Sequence, residues 1–408
     1  MSVGERVEEL DVLRGVALFG VFLMNMVGFG QAMSTEQQLL SLPTAALDFT
    51  LAELAAWLVA DKANTLFAFL FGLGFYLQMQ RLAARGADFD RIYLRRLTFL
   101  LLLGLVHVMF VWTWDILHLY ALSGFVLFAL RKASNRTLLV GGILLALFGR
   151  VFQETLVEFA GLEDWHGWAN PYSEEVRLAR QQVMVGGDYP SVVRAFAVYT
   201  WVDYILNGLV VGWFLYVLGR FMFGAWVGRH GWLQDAGTRL TGFRRVLRIA
   251  LPAGLIAEGI ARIIEIYDDG GRLPAWDHWP FIASSLHLIS VPVLATGYLC
   301  AIVVGLHTSR FHKLLAPFAY AGRMALTNYV SQSFVLALIF FGVGPGLARV
   351  GHIGTGALAV IVIVVYAAQI VASRWWLARF RFGPLEWLWR AYTYERLPDL
   401  KIAPQPSR

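Results

Sequence analysis

Charge is what this chain has least of. Acidic and basic residues together fill 15% of its 408 positions and hydrophobic ones 58%, whereas soluble domains carry about 25% and about 45–50%. The shortage excludes a soluble globular fold, because no water-surrounded core buries so many apolar runs of about 20 residues. Strand-like alternation is missing too, so the runs are helices, one of the two forms that satisfy their own backbone in hydrocarbon. Cysteine is nearly absent. Cys300 stands alone inside one of the runs, which excludes a disulfide framework and a cysteine metal site. No His/Asp/Glu spacing resembles a metal site, no glycine loop of the phosphate-binding kind occurs, and no internal repeat or soluble-domain linker is visible. What remains is an all-α polytopic bundle, one integral membrane domain over 1–408.

The scarce charge is not scattered. A net charge of +6 hints at nucleic acid, but lysine and arginine gather in short loops between the runs, a topological pattern that leaves the bilayer as the partner. Expected spans lie at about 12–29, 63–79, two within 97–124 and its continuation, then 138–152, 197–223, 246–266, 281–305, 317–341 and 355–375. Basic clusters follow every second one, so about ten spans and cytoplasmic termini are expected. Five spans fall in 1–152 and five in 196–383. The segment 153–195 between them is extracytoplasmic, and 384–408 is an interfacial cytoplasmic tail. The first run lacks a small-residue cleavage site after it and reads as a retained anchor. Residues 34–61 read as a loop with one amphipathic stretch, 49–60. The acidic 153–195 segment, with Glu154, Glu158, Glu163, Asp164, Trp165, His166 and Trp168, is long enough to fold over the membrane surface as a lid.

Ionisable groups inside apolar runs are costly and mark function. The densest such stretch is 97–124, which holds His107, Asp115 and His118. Its Trp112-Thr-Trp-Asp115 break makes a helical hairpin with its tip at one face, where tryptophan is at home; Trp112 is then a substrate-side residue. His107 lies about eight residues below the tip, roughly 12 Å at 1.5 Å per residue. Its imidazole suits a general base, and Asp115 either orients it, as a carboxylate does in hydrolase triads, or caps the next helix. Asp11, Arg14 and Asn25 share a face of the first span. Arg14 either meets a phosphate or pairs with Asp11. Lys62, near the outer face, meets an anionic acceptor or snorkels to the interface. Arg323, Asn328 and Gln332 either line a cavity as donors or join helices as polar glue. Glu258, Arg262 and Glu265 fall on one face and read as a mutually neutralising, structural stripe.

Several motifs carry a resemblance. They are Leu10-Asp-Val-Leu-Arg-Gly-Val-Ala-Leu-Phe-Gly20 with Asn25; Lys62 with Thr65-Leu-Phe67 and Leu70-Phe-Gly72; and Gly104-Leu-Val-His107 with Asp115-Ile-Leu117. Gly322-Arg-Met-Ala-Leu-Thr-Asn-Tyr329 with Gln332 and Gly383-Pro-Leu-Glu-Trp-Leu-Trp-Arg390 complete the set. With them the chain resembles, over nearly its whole length, the YeiB-type family of bacterial membrane proteins, whose C-terminal part is a domain of unknown function. His118 departs from that pattern, which has an apolar residue there, and is set aside as a site. The family is similar in turn to the membrane acyltransferases that include heparan glucosaminide N-acetyltransferase. The resemblance implies a multi-pass protein of the bacterial inner membrane that moves an acyl group from a cytoplasmic acyl-CoA-type donor to an extracytoplasmic or membrane-embedded acceptor. On that reading His107 and Asp115 are the catalytic pair, Arg14, Asn25, Arg323, Asn328 and Gln332 lie around the acyl-CoA, Lys62 and Trp112 lie near the acceptor, and no metal is expected. A homodimer remains open as a partner. The alternative is a transporter or flippase, in which buried charges form the substrate path; the repeats and paired broken helices common in transporters are not evident in the sequence.

Overall fold

Each long apolar run becomes a helix because a helix is the shortest way for a chain to satisfy its own amides away from water. The structure, a computed structural model, describes residues 7–149, 173–200, 209–274, 276 and 278–402. Among them helices dominate, and the only pairing outside helices is an isolated bridge between Phe380 and Lys401. The helices are α1 (Glu8–Met33), α2 (Glu36–Leu40), α3 (Ala45–Leu58), α4 (Lys62–Ala83), α5 (Phe89–Phe110) and α6 (Leu117–Ala129). After α7 (Thr137–Gly149) come α8 (Glu174–Gly186), α9 (Tyr189–Tyr199), α10 (Leu209–Arg229), α11 (Leu240–Asp269) and α12 (Trp279–Leu306). The chain closes with α13 (Ser309–Leu315), α14 (Phe318–Arg323), α15 (Ala325–Phe340), α16 (Thr355–Leu377) and α17 (Pro384–Tyr394). Among the described residues six helical stretches are long and apolar enough to cross a membrane, and α7 and α15 are shorter apolar helices. The protein is a multi-pass membrane bundle.

Two expectations change in detail. Residues 34–61 are not a loop with one surface stretch: α2 and α3 fold back onto the bundle, and Asp48 reaches across to accept the Gly356 amide at the start of α16 (2.8 Å). The expected ninth span is broken. Its chain stops at Met324, whose backbone (φ −115°, ψ 34°) leaves the helical region, so α14 and α15 are separate rods. The acidic side chains of residues 154–164, together with Trp165, His166 and Trp168, lie outside the described residues, as does 201–208 in the expected sixth span.

Two ends of the bundle differ in character. One gathers the α5–α6 connection, α8, α9 and the extended 341–354 segment: Tyr189 donates its hydroxyl to the Phe110 carbonyl (2.6 Å) and the Gly342 amide donates to the Met184 carbonyl (2.8 Å). The other gathers the start of α1, the start of α5 and α17. There Glu8 meets His312 (3.3 Å), Glu395 holds Arg91 (2.7 Å) and Arg95, and Trp389 donates to the Arg96 carbonyl (2.9 Å). Most of the arginine and lysine of the loops lies at this second end, where both described ends of the chain also lie.

Candidate functional site

The α5–α6 hairpin is tight because of one glycine. A Cβ on Gly104 would sit 2.3 Å from the His118 amide nitrogen, so only glycine lets the start of α6 lie against α5 here. The end of α5 is wound in, with the Val111 and Trp112 amides both bonding the His107 carbonyl (2.9 and 2.8 Å). The six residues that follow drop back along the helix rather than rising to a tip. Asp115 therefore returns to the level of His107, and the depth of roughly 12 Å expected from residue counting does not separate them.

Asp115 is the centre of the site. It is 0% exposed and His107 is 1% exposed. The Asp115 Oδ1 lies 2.8 Å from His107 Nδ1 and accepts the Tyr329 hydroxyl at 3.3 Å. Its Oδ2 lies 2.9 Å from His118 Nδ1 and accepts the His118 amide at 3.1 Å. Orienting the histidine and capping α6 are thus not alternatives: one carboxylate does both, with one oxygen for each. An ionised carboxylate only accepts, so it fixes the proton of both imidazoles on Nδ1 and leaves Nε2 of His107 with its lone pair. That Nε2 is buried and has no hydrogen-bond partner among the described residues. His118, set aside in the sequence, is a full member of the cluster, and Tyr329 joins it from α15. Sequence separation hid Tyr329, although it stands in the Gly322–Tyr329 motif.

Trp112 does not present its ring to the surface: it is fully buried, packed against Phe29 (ring centroids 4.3 Å) and Phe341 (6.2 Å), because the connection folds inward and carries its ring with it.

Lys62 is also deep rather than snorkelling. It is 1% exposed, pairs with Glu258 at 2.5 Å and donates to the Ala56 carbonyl at 3.0 Å. His287 of α12 then links Glu258 (3.0 Å) to Asp61 (3.2 Å), and Ser290 donates to Glu258. The expected neutral stripe on α11 is divided as a result. Arg262 pairs with Glu265 and with Glu53 of α3 (2.5 Å), whereas Glu258, a turn away, faces inward to Lys62. Arg220, absent from the sequence reading, lies beside this group: its Nε donates to Thr65 Oγ1 (2.9 Å), whose hydroxyl is 2.8 Å from that of Tyr216.

The residues expected around a donor are only partly brought together. Arg323 lines a cavity of about 540 Å³ at the basic end with Lys313, Arg374, Tyr320, Glu8 and Asp11. Arg14 stands nearby, bonded to Asp11 (3.4 Å). Asn25 shares Arg14's face but sits eleven residues along the helix, about 16 Å away at 1.5 Å per residue. Asn328 and Gln332 are polar glue. Asn328 donates to Ser373 (3.0 Å) and Gln332 to Gln369 (2.9 Å), tying α15 to α16. Neither this cavity nor the larger one described below is lined by His107.

Comparison with known proteins points in one direction. Residues 227–396 match the family model described as "Protein of unknown function (DUF418)". The chain is 31% identical over 405 residues to Uncharacterized protein YxaH of Bacillus subtilis (strain 168), covering 96% of this chain and 94% of that one. It is likewise 31% identical over 405 residues to Uncharacterized protein YeiB of Escherichia coli (strain K12), with 95% and 96% covered. The Uncharacterized 39.9 kDa protein in amylase 3'region of Bacillus acidopullulyticus is 26% identical over 406 residues.

Proposed function

Because this chain belongs to the YeiB-type family of membrane proteins, and because its buried histidine–carboxylate pair has the form of a general base, we propose that it is an acyltransferase of the bacterial inner membrane. The observation that carries the reading is the His107–Asp115 contact of 2.8 Å with Nε2 of His107 left unpartnered. A base so held needs no reorientation to accept a proton, and Asp115 stabilises the imidazolium that results. Acyl-CoA, when bound, supplies the acyl group. The cavity of Lys313, Arg323 and Arg374 suits its phosphates, since three cations face two carboxylates there and arginine matches phosphate geometry. The acceptor's hydroxyl or amine gives its proton to Nε2 as it attacks the acyl carbonyl, and the proton then passes to the leaving thiolate. His107 is enclosed in this structure, so access for the acceptor requires the 111–116 connection to move off it.

The test is transfer of a radiolabelled acetyl or longer acyl group from acyl-CoA to membrane extract by detergent-purified protein. Wild type should label an acceptor and His107→Ala should lower the rate about 10²–10⁴-fold at unchanged thermal stability. No transfer and no acyl-CoA binding by folded wild type would end the proposal.

A transporter is the second reading, and two observations favour it: the broken α14–α15 rod and the ion string Asp61–His287–Glu258–Lys62, which runs from a half-exposed end to a sealed one. Such strings line proton paths in membrane proteins. Proton-coupled uptake into vesicles, lost in His287→Ala and kept in His107→Ala, would favour it over the enzyme.

A further inference from the structure

The dyad leaves a second, larger cavity unused. It measures about 930 Å³ and lies between α4, α7, α10, α11 and α12. Its walls are apolar over most of their length, with Phe69, Phe223 and Ala250 among them. The rim residues Ile143, Val246 and Ile289 are exposed, and on a bundle of this kind an exposed apolar rim faces lipid, so the cavity opens sideways into hydrocarbon. One charged group lies inside it, Arg220; Arg239 marks the basic end.

Arg220 is 5% exposed. Its guanidinium donates to Thr65 Oγ1 (2.9 Å) and the Tyr216 carbonyl (3.1 Å) and lies over the Tyr216 ring at 3.1 Å. No carboxylate is within ion-pair distance among the described residues: Glu258 is taken by Lys62, and the Asp61 carboxylate turns to His287. A buried cation without a counter-ion is costly unless something supplies one. Nor can Arg220 swing away to water. A Cβ on Gly72 would lie 2.0 Å from the Phe221 carbonyl, and one on Gly224 2.1 Å from that of Phe69, so α4 and α10 are locked together within the next turn of the helix.

We propose that this cavity binds a free long-chain fatty acid, its carboxylate on Arg220 and its chain along the apolar walls, entering from the membrane between α7 and α11. The chemistry selects the head as well as the tail. One guanidinium carries one charge and presents a planar fork that fits a carboxylate, whereas a phosphate dianion would need a second cation within reach. The volume lies in the range of pockets that enclose a whole small ligand. This site is separate from the histidine pair and does not depend on acyl transfer.

Binding of radiolabelled palmitate to the full-length protein in detergent tests it, with unlabelled palmitate, hexadecanol and 1-palmitoyl lysophosphatidate as competitors. Palmitate should compete at least about 10-fold better than hexadecanol, the size of a charge-assisted hydrogen bond, and better than lysophosphatidate. Arg220→Gln should erase the preference for palmitate over hexadecanol. Should Arg220→Gln fold poorly, Ile143→Trp at the lipid-facing rim should weaken both ligands while leaving Arg220 in place. Palmitate binding should persist in His107→Ala, which separates this site from the proposed active site. Equal competition by palmitate and hexadecanol, a preference for lysophosphatidate, or binding indifferent to both substitutions would overturn the proposal.

Discussion

A single carboxylate, Asp115, holds two imidazoles, a tyrosine hydroxyl and a helix amide, so its replacement separates the roles of its partners. Asp115→Asn keeps the size but can donate to Nδ1 and invert the tautomer of His107. In an acyl-transfer assay it should cost more than His118→Ala, which leaves the His107 contact intact, and less than His107→Ala. Because His118 shares the carboxylate, His118→Ala should itself be measurable. Lys62 and Glu258 give a prediction of stability rather than activity. Breaking a buried ion pair typically costs about 3–5 kcal/mol, and without Lys62 the Glu258 carboxylate keeps only His287 and Ser290 among the described residues. Lys62→Met should therefore lower the unfolding midpoint sharply, and Lys62→Met with Glu258→Leu should recover part of the loss. A double variant no better than the single one would show that the pair is not energetically coupled.

At the scale of elements, the contacts between helices are set by glycines and by borrowed caps. Gly104→Val should force α6 away from α5 and break the Asp115 contacts before it affects any other helix pair. Exchange of the 104–118 amides, followed by mass spectrometry, reads this directly. The break at Met324 leaves the first amides of α15 without partners in their own helix. Glu386 of α17 supplies them, accepting from the Leu326 (2.8 Å), Thr327 (3.1 Å) and Thr327 hydroxyl (2.6 Å) donors. Burial pushes its carboxyl above the ordinary carboxylate range. The folded chain then holds that proton to higher pH than the unfolded chain does, so this group's contribution to stability falls as pH rises from about 4.5, the ordinary glutamate value, through the raised folded value. Glu386→Gln, which stays neutral, should flatten that part of the melting-temperature profile. Glu386→Ala loses the cap at every pH, at a cost of about 0.5–2 kcal/mol.

For the whole molecule the asymmetry of the two ends makes the prediction. The loops rich in arginine and lysine, with both described ends of the chain, lie at one end of the bundle, and α8, α9 and the 111–116 connection lie at the other. Positive charge stays cytoplasmic, so reporter fusions at Gly187 and Gly237, on either side of α10, should score on opposite sides of the membrane. The same side for both would remove the outward placement of Asp115 and, with it, access for an extracytoplasmic acceptor.

Apolar length, missing alternation and basic loops are properties of composition and local order, so the sequence by itself determined an all-helical membrane bundle. It also determined that His107 and Asp115 flank a break, since eight residues around a chain reversal bring few alternatives within reach. What surrounds them needed the tertiary structure. Tyr329 reaches Asp115 across 214 positions and Lys62 reaches Glu258 across 196, distances over which helical periodicity names a face but not its partner. For that reason Glu258 looked like a neighbour of Arg262, Asn328 and Gln332 looked as suited to a ligand as to α16, and Arg220, inside the 197–223 run, gave no sign of its own. Only the packing of α4 against α10 decided that its charge is buried, lacks a carboxylate among the described residues, and faces a cavity.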